Sequence, residues 1–246
     1  MLQGDQTRRF YDEEAPGTKA LDKLESAERY HAWLANYIKP YLGEYNLEIG
    51  AGRGTMTRIV ALSYNVDMLE PAEINRDSLV ELLKNNDRIT ALYKLPSEIP
   101  SSKQYNSIYS SNVLEHIYDD KAEIEKYLKF LSNGGNIIGV VPAGGKYLFS
   151  HFDRLIGHYR RYSLKDLKRL RVLQDDFDNH AILTHYRYLN PIGALGWFFI
   201  MKLLGRKEIS EKSIKVSQKI LKLNDIIRFD HIPFGQSMLI VWKKRI

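Results

Sequence analysis

Residues 46–55 read Asn46-Leu47-Glu48-Ile49-Gly50-Ala51-Gly52-Arg53-Gly54-Thr55, and this stretch decides the fold. A short apolar run ends in a loop with glycine at every second position, and a helical stretch, Thr55–Leu62, follows it. Glycine is required where a backbone turns sharply or approaches a ligand closely. Such a loop points its amide groups at a ligand near the helix N-terminus. Glu70 closes the next apolar run, twenty residues after Gly50, where a carboxylate can accept both ribose hydroxyls of an adenosine moiety.

From this stretch to residue 141, short apolar runs alternate with helical stretches. The runs are Asn46–Ile49, Val66–Glu70, Ile89–Tyr93, Ser107–Ser111 and Asn136–Val141, and the helical stretches after the second and fourth runs are Arg76–Lys84 and Asp120–Leu131. Alternation of this kind is typical of an α/β protein with a mostly parallel sheet covered on both faces.

The two ends of the chain follow different patterns. Residues 1–19 are charged and irregular, which predicts an arm, and Leu21–Tyr41 has helical periodicity. In the last third, Ser163–Leu170 opens with a capping-box pattern, and Ala181–Tyr188 and Ser237–Lys243 are predicted strands. We expect a single domain, 1–246, in which residues 1–41 cover the ligand and residues 190–235 form a helical insertion before the last strand.

The composition excludes several classes of chemistry. The net charge of +6 and the pI near 9.2 are only mildly basic for 246 residues. With no cysteine, structural disulfides, thiolate zinc sites and a cysteine nucleophile are all excluded. The first twenty residues lack the apolar core of a secretory signal, and the apolar stretch Pro191–Gly205 is interrupted by Lys202 and too short to span a bilayer. These features predict a cytoplasmic protein.

Glycine spacing separates two classes of cofactor. In the dinucleotide fingerprint G-x-G-x-x-G the third glycine follows the second by three positions, whereas here Gly54 follows Gly52 by two. Glu48 also lies two positions before the first glycine. The stretch therefore resembles the E/D-x-G-x-G-x-G pattern of class I S-adenosylmethionine-dependent methyltransferases. A carboxylate-lined loop also suits a cationic sulfonium and an α-amino group better than a pyrophosphate.

This resemblance extends along nearly the whole chain. Ser111–Ile117 looks like the motif that follows strand four in small-molecule methyltransferases, and Leu131–Gly135 with Val141–Ala143 resembles their fifth-strand entry. Arg29–Trp33 and Gly157–Ser163 resemble a narrower bacterial subgroup of the methyltransferase type 11 and 12 kind, which is linked to glycan and cell-envelope biosynthesis. The resemblance implies a Rossmann-like doubly wound sheet of seven strands, the first five parallel and the C-terminal one antiparallel.

The same resemblance assigns the residues that bind S-adenosyl-L-methionine. They are Glu48, Gly50, Ala51, Gly52, Gly54, Glu70, Pro71, Asn112, Val113, Tyr11 and Arg29. One departure stands out: family members often have an acidic residue after strand three that contacts adenine, but this chain has Tyr93-Lys94-Leu95-Pro96 there. Tyr11, Tyr30 and Trp33 either cover the cofactor or pack on the core.

Two histidines are candidates for catalysis. Methyl transfer to a hydroxyl requires alignment of the acceptor and removal of its proton, and histidine is the natural base near neutral pH. His116 follows the carboxyl end of strand four, where open α/β sheets bind ligands, and by resemblance faces the methyl group; alternatively it fixes its loop. His158 resembles a residue on the acceptor side; alternatively it supports a helix. Arg160 and Arg161 either clamp a phosphate or carboxylate of the acceptor or form ordinary ion pairs.

The remaining features narrow the acceptor. No metal is predicted, because the carboxylate cluster of magnesium-dependent relatives is absent beyond strand four. Strand four ends in Ser110-Ser111-Asn112-Val113, not in the Asn/Asp-Pro-Pro-Tyr/Phe motif associated with nucleobase amino groups, which disfavours nucleic acid. An apolar helix from Pro191 beside a basic amphipathic stretch suggests peripheral membrane contact through 191–223; a lid or a dimer contact are the alternatives.

Four hypotheses follow. The leading one is methylation of a hydroxyl on a glycan, glycolipid or related small molecule, which includes a lipid-linked saccharide. The others are N- or C-methylation of a small metabolite, non-catalytic binding of S-adenosylmethionine, and an NAD-dependent oxidoreductase, which the glycine spacing disfavours.

Overall fold

The computed structural model describes residues 28–177, 179–203, 205 and 232–245. The predicted N-terminal arm with Tyr11, and the basic part of the insertion at 206–231, lie outside the described residues.

Eight strands form one mixed sheet in the described part of the chain. They are β1 (Tyr45–Ile49), β2 (Asn65–Leu69), β3 (Ile89–Tyr93), β4 (Tyr105–Ser111), β5 (Leu131–Pro142), β6 (Val172–Gln174), β7 (His180–Leu189) and β8 (Ser237–Lys244). The strand order is β3-β2-β1-β4-β5-β8-β7-β6. Strands β1 to β5 are parallel, and β8 lies antiparallel to both β5 and β7. The predicted fold class and the antiparallel C-terminal strand are therefore confirmed.

The helices occupy both faces of this sheet. They are α1 (Glu28–Ile38), α2 (Thr55–Val60), α3 (Arg76–Lys84), α4 (Asp120–Glu125), α5 (Gly145–Leu148), α6 (His151–Leu155), α7 (Leu164–Arg169) and α8 (Pro191–Trp197), which continues as a π-helical turn, Phe198–Leu203. Short 3₁₀ turns lie at Lys39–Tyr41, Glu73–Asn75, Pro96–Glu98, Leu114–His116 and Leu128–Phe130. None of the helices in the described ranges is long and apolar enough to cross a membrane.

Alternation along the strands produces two hydrophobic layers. Consecutive side chains of a strand point to opposite faces, so Ile108 packs in one layer and Tyr109 in the other. Helices α1, α2 and α3 cover one face through residues such as Leu34 and Val60, whereas α4 and α7 cover the opposite face, where Ile124 is buried. Because both faces are covered, most side chains of the central strands β1, β2 and β4 are buried.

One additional strand and one helix boundary differ from the sequence-based expectation. The sheet has an eighth strand, β6, whose three residues are too few to produce a periodic pattern. The helix predicted over Asp120–Leu131 ends at Glu125, and a 3₁₀ turn over Leu128–Phe130 leads directly into β5. The predicted capping box of α7 is present: the Asp166 carboxylate accepts hydrogen bonds from the Ser163 backbone N–H and hydroxyl at 3.0 and 2.7 Å.

The insertion begins as the sequence predicts. Asn190 caps α8 by accepting a hydrogen bond from the Gly193 N–H at 2.9 Å, and Pro191 occupies the first turn. The amide of Asn190 donates to the Gln236 side chain at 2.8 Å, and the Gln236 N–H donates to the Asn190 carbonyl at 3.1 Å. These bonds join the start and the end of the insertion directly above β7 and β8.

Candidate active site

The glycine loop between β1 and α2 has the conformation that its sequence requires. Gly50, Gly52 and Gly54 all have positive φ, at 69°, 55° and 77°, a region that disfavours other residues. The N–H groups of Gly50 and Ala51 donate to the Leu69 carbonyl at 2.8 and 3.2 Å, which ties the loop to the end of β2. A Cβ on Gly50 would lie 2.5 Å from Val113 Cγ2. The loop and the β4 loop are therefore in direct contact.

Gly50→Ala is expected to destabilise the protein by about 1–2 kcal/mol through left-handed backbone strain alone, and to displace Val113. Gly196→Ala is the matched control, because a Cβ on Gly196 would meet nothing within 4 Å. Urea unfolding curves of both variants test the prediction. Equal stability of the two would show that the loop tolerates a side chain.

Glu70 lies at the carboxyl end of β2 and is almost fully buried. Its Oε2 accepts a hydrogen bond from the Gly52 N–H at 2.7 Å, and its Oε1 accepts one from the Ala72 N–H at 2.8 Å. Burial raises the pKa of this carboxyl, against the lowering effect of these two bonds. Each carboxylate oxygen has a second lone pair, so Glu70 can also accept the hydroxyls of a ribose.

Glu48 is the buried carboxyl of β1, immediately below the loop. Its Oε2 accepts hydrogen bonds from the Thr57 hydroxyl at 2.5 Å and the Tyr109 hydroxyl at 3.0 Å. Burial raises the pKa of Glu48 to about 8, and the nearby charge of Glu70 adds to the shift. The two carboxyls make this edge of the sheet suited to a cationic ligand.

The loop after β4 supplies the second wall of the site. Asn112 has a positive φ of 54°, and its N–H donates to the Val140 carbonyl at 2.8 Å. The 3₁₀ turn that follows carries Glu115, whose side chain is fully buried. Neither carboxylate oxygen of Glu115 has a hydrogen-bond partner among the described residues. Burial raises the pKa of this carboxyl to about 8.

His116 and His158 lie side by side. Their rings contact edge to face with centroids 4.6 Å apart, and Nε2 of His158 is 3.8 Å from Oε1 of Glu115. Burial and the neighbouring His158 lower the pKa of His116 to about 3, against a hydrogen bond to the Gly157 backbone. Burial also lowers the pKa of His158, against the raising effect of Asp153. Both imidazoles are therefore neutral at pH 7.

Asp153 fixes the orientation of His158. Its Oδ1 lies 3.1 Å from Nδ1 of His158 and 2.8 Å from Nε of Arg161. Burial alone would raise the pKa of Asp153, but the bond to His158 and the charge of Arg161 hold it below the usual range. Because an ionised carboxylate only accepts, Nδ1 of His158 carries the proton and Nε2 presents a lone pair.

The two predicted clamp arginines are engaged with other parts of the chain. Arg161 is buried, binds Asp153, and stacks over Trp197 at 4.2 Å from the ring centroid. Arg160 binds the Tyr118 carbonyl and lies 2.9 Å from Asp120. Their role as an acceptor clamp stays a prediction.

The other predicted residues are more widely spread. Arg29 and Pro71 are exposed, Arg29 at the start of α1 and Pro71 directly after β2, whereas Ala51 is buried in the loop. Tyr30 is hydrogen-bonded to the Ser237 hydroxyl at 3.0 Å and is close enough to Glu115 for that charge to raise its pKa, although burial contributes more. Sequence reasoning did not assign Glu115 to the site. The pattern Ser150-x-x-Asp153, a capping box in the structure, was the signal that could have drawn attention to Asp153.

Comparison with known families decides the class of protein. A family model described as "Methyltransferase domain" matches residues 23–199. The chain belongs to this family. The comparison of this chain with curated protein sequences found no match.

Solved structures share the fold of this methyltransferase at low sequence identity. Haemonchus contortus phosphoethanolamine N-methyltransferase 1, solved with phosphoethanolamine and S-adenosylhomocysteine, has a TM-score of 0.62 and 15% identity over 100% of this chain and 50% of its own. A putative methyltransferase in complex with the Haloferax volcanii Trm112 activator has a TM-score of 0.59 and 12% identity, covering 94% and 97%. Coclaurine N-methyltransferase has a TM-score of 0.56 and 12% identity, covering 86% and 72%.

The donor half of the methyltransferase fits S-adenosyl-L-methionine, the methyl donor of class I methyltransferases. The glycine loop lies beside two buried carboxyls, Glu48 and Glu70, whose ionised forms a bound sulfonium or amino group would favour. Glu48 and the glycines would hold the methionine portion, and Glu70 the ribose.

Proposed function

We propose that this methyltransferase methylates a hydroxyl of a small-molecule acceptor, a glycan, a glycolipid or a related metabolite, with His158 as the catalytic base and His116 as the residue that positions it. The observation that supports this most strongly is the pairing of His158 with Asp153, which leaves Nε2 of His158 with a lone pair beside Glu115. A hydroxyl, unlike a neutral amine, is a weak nucleophile until its proton is removed.

The side chains around His158 have different roles in the proposed methyl transfer. When bound, the cofactor would supply a methyl group on a sulfonium, and the methyl carbon–sulfur bond would break to release S-adenosylhomocysteine. Nε2 of His158 accepts the hydroxyl proton as the oxygen–carbon bond forms. Asp153 holds the ring in the required tautomer and stabilises the imidazolium that results. His116, packed against His158, keeps that ring in place.

The exposed apolar side chains of helix α8 and the turn after it favour a lipid-linked acceptor. Trp197 packs on Phe152 and under Arg161, so α8 is anchored beside the acceptor side of the site. Large apolar side chains of α8 and the turn after it are exposed: Leu195, Phe198, Phe199 and Leu203. We propose that residues 190–235 act as a lid over the acceptor, with peripheral contact to the inner face of a cytoplasmic membrane.

An amine acceptor is the second candidate. Glu115 presents a buried carboxylate without a hydrogen-bond partner in the described ranges, and a protonated amine would satisfy it. Two of the compared structures are N-methyltransferases, of phosphoethanolamine and of coclaurine.

The test measures donor binding and methyl transfer separately. Acceptor panels of saccharides, glycolipids and amines are incubated with radiolabelled S-adenosylmethionine, and the methylated atom is located by mass spectrometry. His158→Ala is expected to reduce turnover about a hundredfold, within the range of general-base effects, while S-adenosylhomocysteine affinity is unchanged.

His151→Ala is the matched control, because His151 is exposed on α6 only seven residues from His158. Full turnover of His158→Ala would remove this histidine from catalysis. Methylation confined to amines would replace the hydroxyl proposal by the second candidate.

A further inference from the structure

Three side chains around the predicted acceptor site have potential metal-ligand atoms close together. They are Glu115, His116 and His158, and one ligand atom from each lies within 4.8 Å of the other two. The carboxylate oxygen of Glu115 and Nε2 of His158 are already 3.8 Å apart. Ligands of a tetrahedral zinc ion, each about 2.0–2.2 Å from the metal, are about 3.4 Å apart, so only a small side-chain adjustment is needed.

Glu115 is the observation that calls for a cation. Its side chain is fully buried, and neither oxygen has a hydrogen-bond partner among the residues described. A buried carboxyl whose two oxygens have no hydrogen-bond partner is unfavourable in either protonation state, and each such group in a native protein requires an explanation. The charges of Arg161 and Arg160 act on Glu115, but neither guanidinium hydrogen-bonds to it. Arg161 binds Asp153, and Arg160 binds Tyr118 and lies beside Asp120.

The surroundings of the two imidazoles fit metal ligation. Histidines that bind metals usually donate their other ring N–H to a carboxylate or a backbone carbonyl, which fixes the ring. His158 donates Nδ1–H to Asp153, and His116 is hydrogen-bonded to the Gly157 backbone. Asp153 is itself held by Ser150, whose hydroxyl and N–H both donate to its Oδ2 at 2.7 Å.

We infer that Glu115, His116 and His158 form a binding site for a divalent transition-metal ion. Two imidazoles and one carboxylate suit Zn²⁺, Mn²⁺ or Fe²⁺ better than Mg²⁺ or Ca²⁺, which prefer oxygen ligands. Three protein ligands leave the fourth position of a tetrahedral ion open, as in catalytic zinc sites. This inference departs from the sequence-based prediction that the chain holds no metal.

The use of such an ion in catalysis rests on the proposed function. Its open position would bind the acceptor hydroxyl, and the two imidazoles would then hold the ion instead of taking the proton. Because loss of an imidazole reduces turnover in either arrangement, the ion itself has to be measured.

The experiment titrates untagged, EDTA-dialysed full-length protein with ZnCl₂, MnCl₂ and CoCl₂ by calorimetry, and records the visible spectrum with Co²⁺. We expect one ion per chain and a Co²⁺ ligand-field band. Glu115→Gln and His116→Ala should each weaken binding at least tenfold and remove the band, whereas His151→Ala should do neither. S-adenosylhomocysteine binding by each variant verifies that it is folded.

Absence of stoichiometric binding, or an affinity unaffected by Glu115→Gln and His116→Ala, would overturn the inference. Turnover of a hydroxyl acceptor in EDTA, together with the absence of metal binding, would leave the proposed function intact and remove the metal site. Stoichiometric metal binding without methylation of any hydroxyl would do the reverse.

Discussion

Glu70→Ala is expected to weaken binding of S-adenosylhomocysteine about a thousandfold. Each hydrogen bond to a charged group contributes roughly 1.5–3 kcal/mol, and two ribose hydroxyls would lose their acceptor. The variant also releases the Gly52 N–H, which Glu70 holds at 2.7 Å, so the glycine loop loses one of its hydrogen bonds to the end of β2. Calorimetry at pH 7.5 measures the effect directly.

Glu73→Ala is the matched control for this variant. Glu73 is three residues away and exposed, and its ion pair with Lys94, at 2.7 Å, lies on the surface. Surface ion pairs of this kind contribute little to stability, so its affinity should equal that of the wild type. A loss of less than tenfold in Glu70→Ala would mean that the carboxylate organises the loop but does not bind the ribose.

Glu48→Gln is expected to change how stability depends on pH. The pKa of Glu48 is about 8 in the folded protein against an ordinary 4.5, so the native state retains its proton to a higher pH than the unfolded chain. The stabilisation is fully present below pH 4.5 and is lost as pH rises through 8. Within that window one such group changes the free energy of unfolding by about 1.4 kcal/mol per pH unit.

Urea unfolding of the ligand-free protein between pH 5 and 9 measures this slope. Glutamine cannot ionise, so the variant should lose less stability with rising pH and become more stable than the wild type near pH 9. Glu70 and Glu115 contribute slopes of the same sign, so the slope decreases but does not vanish. Glu44→Gln, in the exposed loop before β1, is the control; identical slopes in all three proteins would contradict the assignment.

The donor half of the molecule could be predicted because its signals are local. Gly50, Gly52 and Gly54 need positive φ, and that need is visible as a spacing in the sequence. The pairing of His158 with Asp153 depends instead on the turn after α6, which brings two residues together across five positions. Arg160 and Arg161 show the same difficulty: adjacent in sequence, they bind different aspartates.

The buried state of Glu115 could not be predicted either. A glutamate in a short turn is ordinarily exposed, whereas Glu115 is buried in a turn that contacts the loop at His158. The Tyr159 N–H donates to the Glu115 carbonyl at 2.8 Å, which joins these two loops. The three-residue strand β6 was missed because pairing with β7, not its own pattern, defines it.

The bonds between Asn190 and Gln236 make the insertion a replaceable module. Because its two ends meet, the sheet does not depend on how many residues lie between them, and the entropy of closing a loop grows only slowly with length. The Gln236 carbonyl also lies 3.5 Å from Arg161, which binds Asp153. Under the proposed function, exchange of this one segment would change the choice of acceptor and leave the donor half of the protein unchanged.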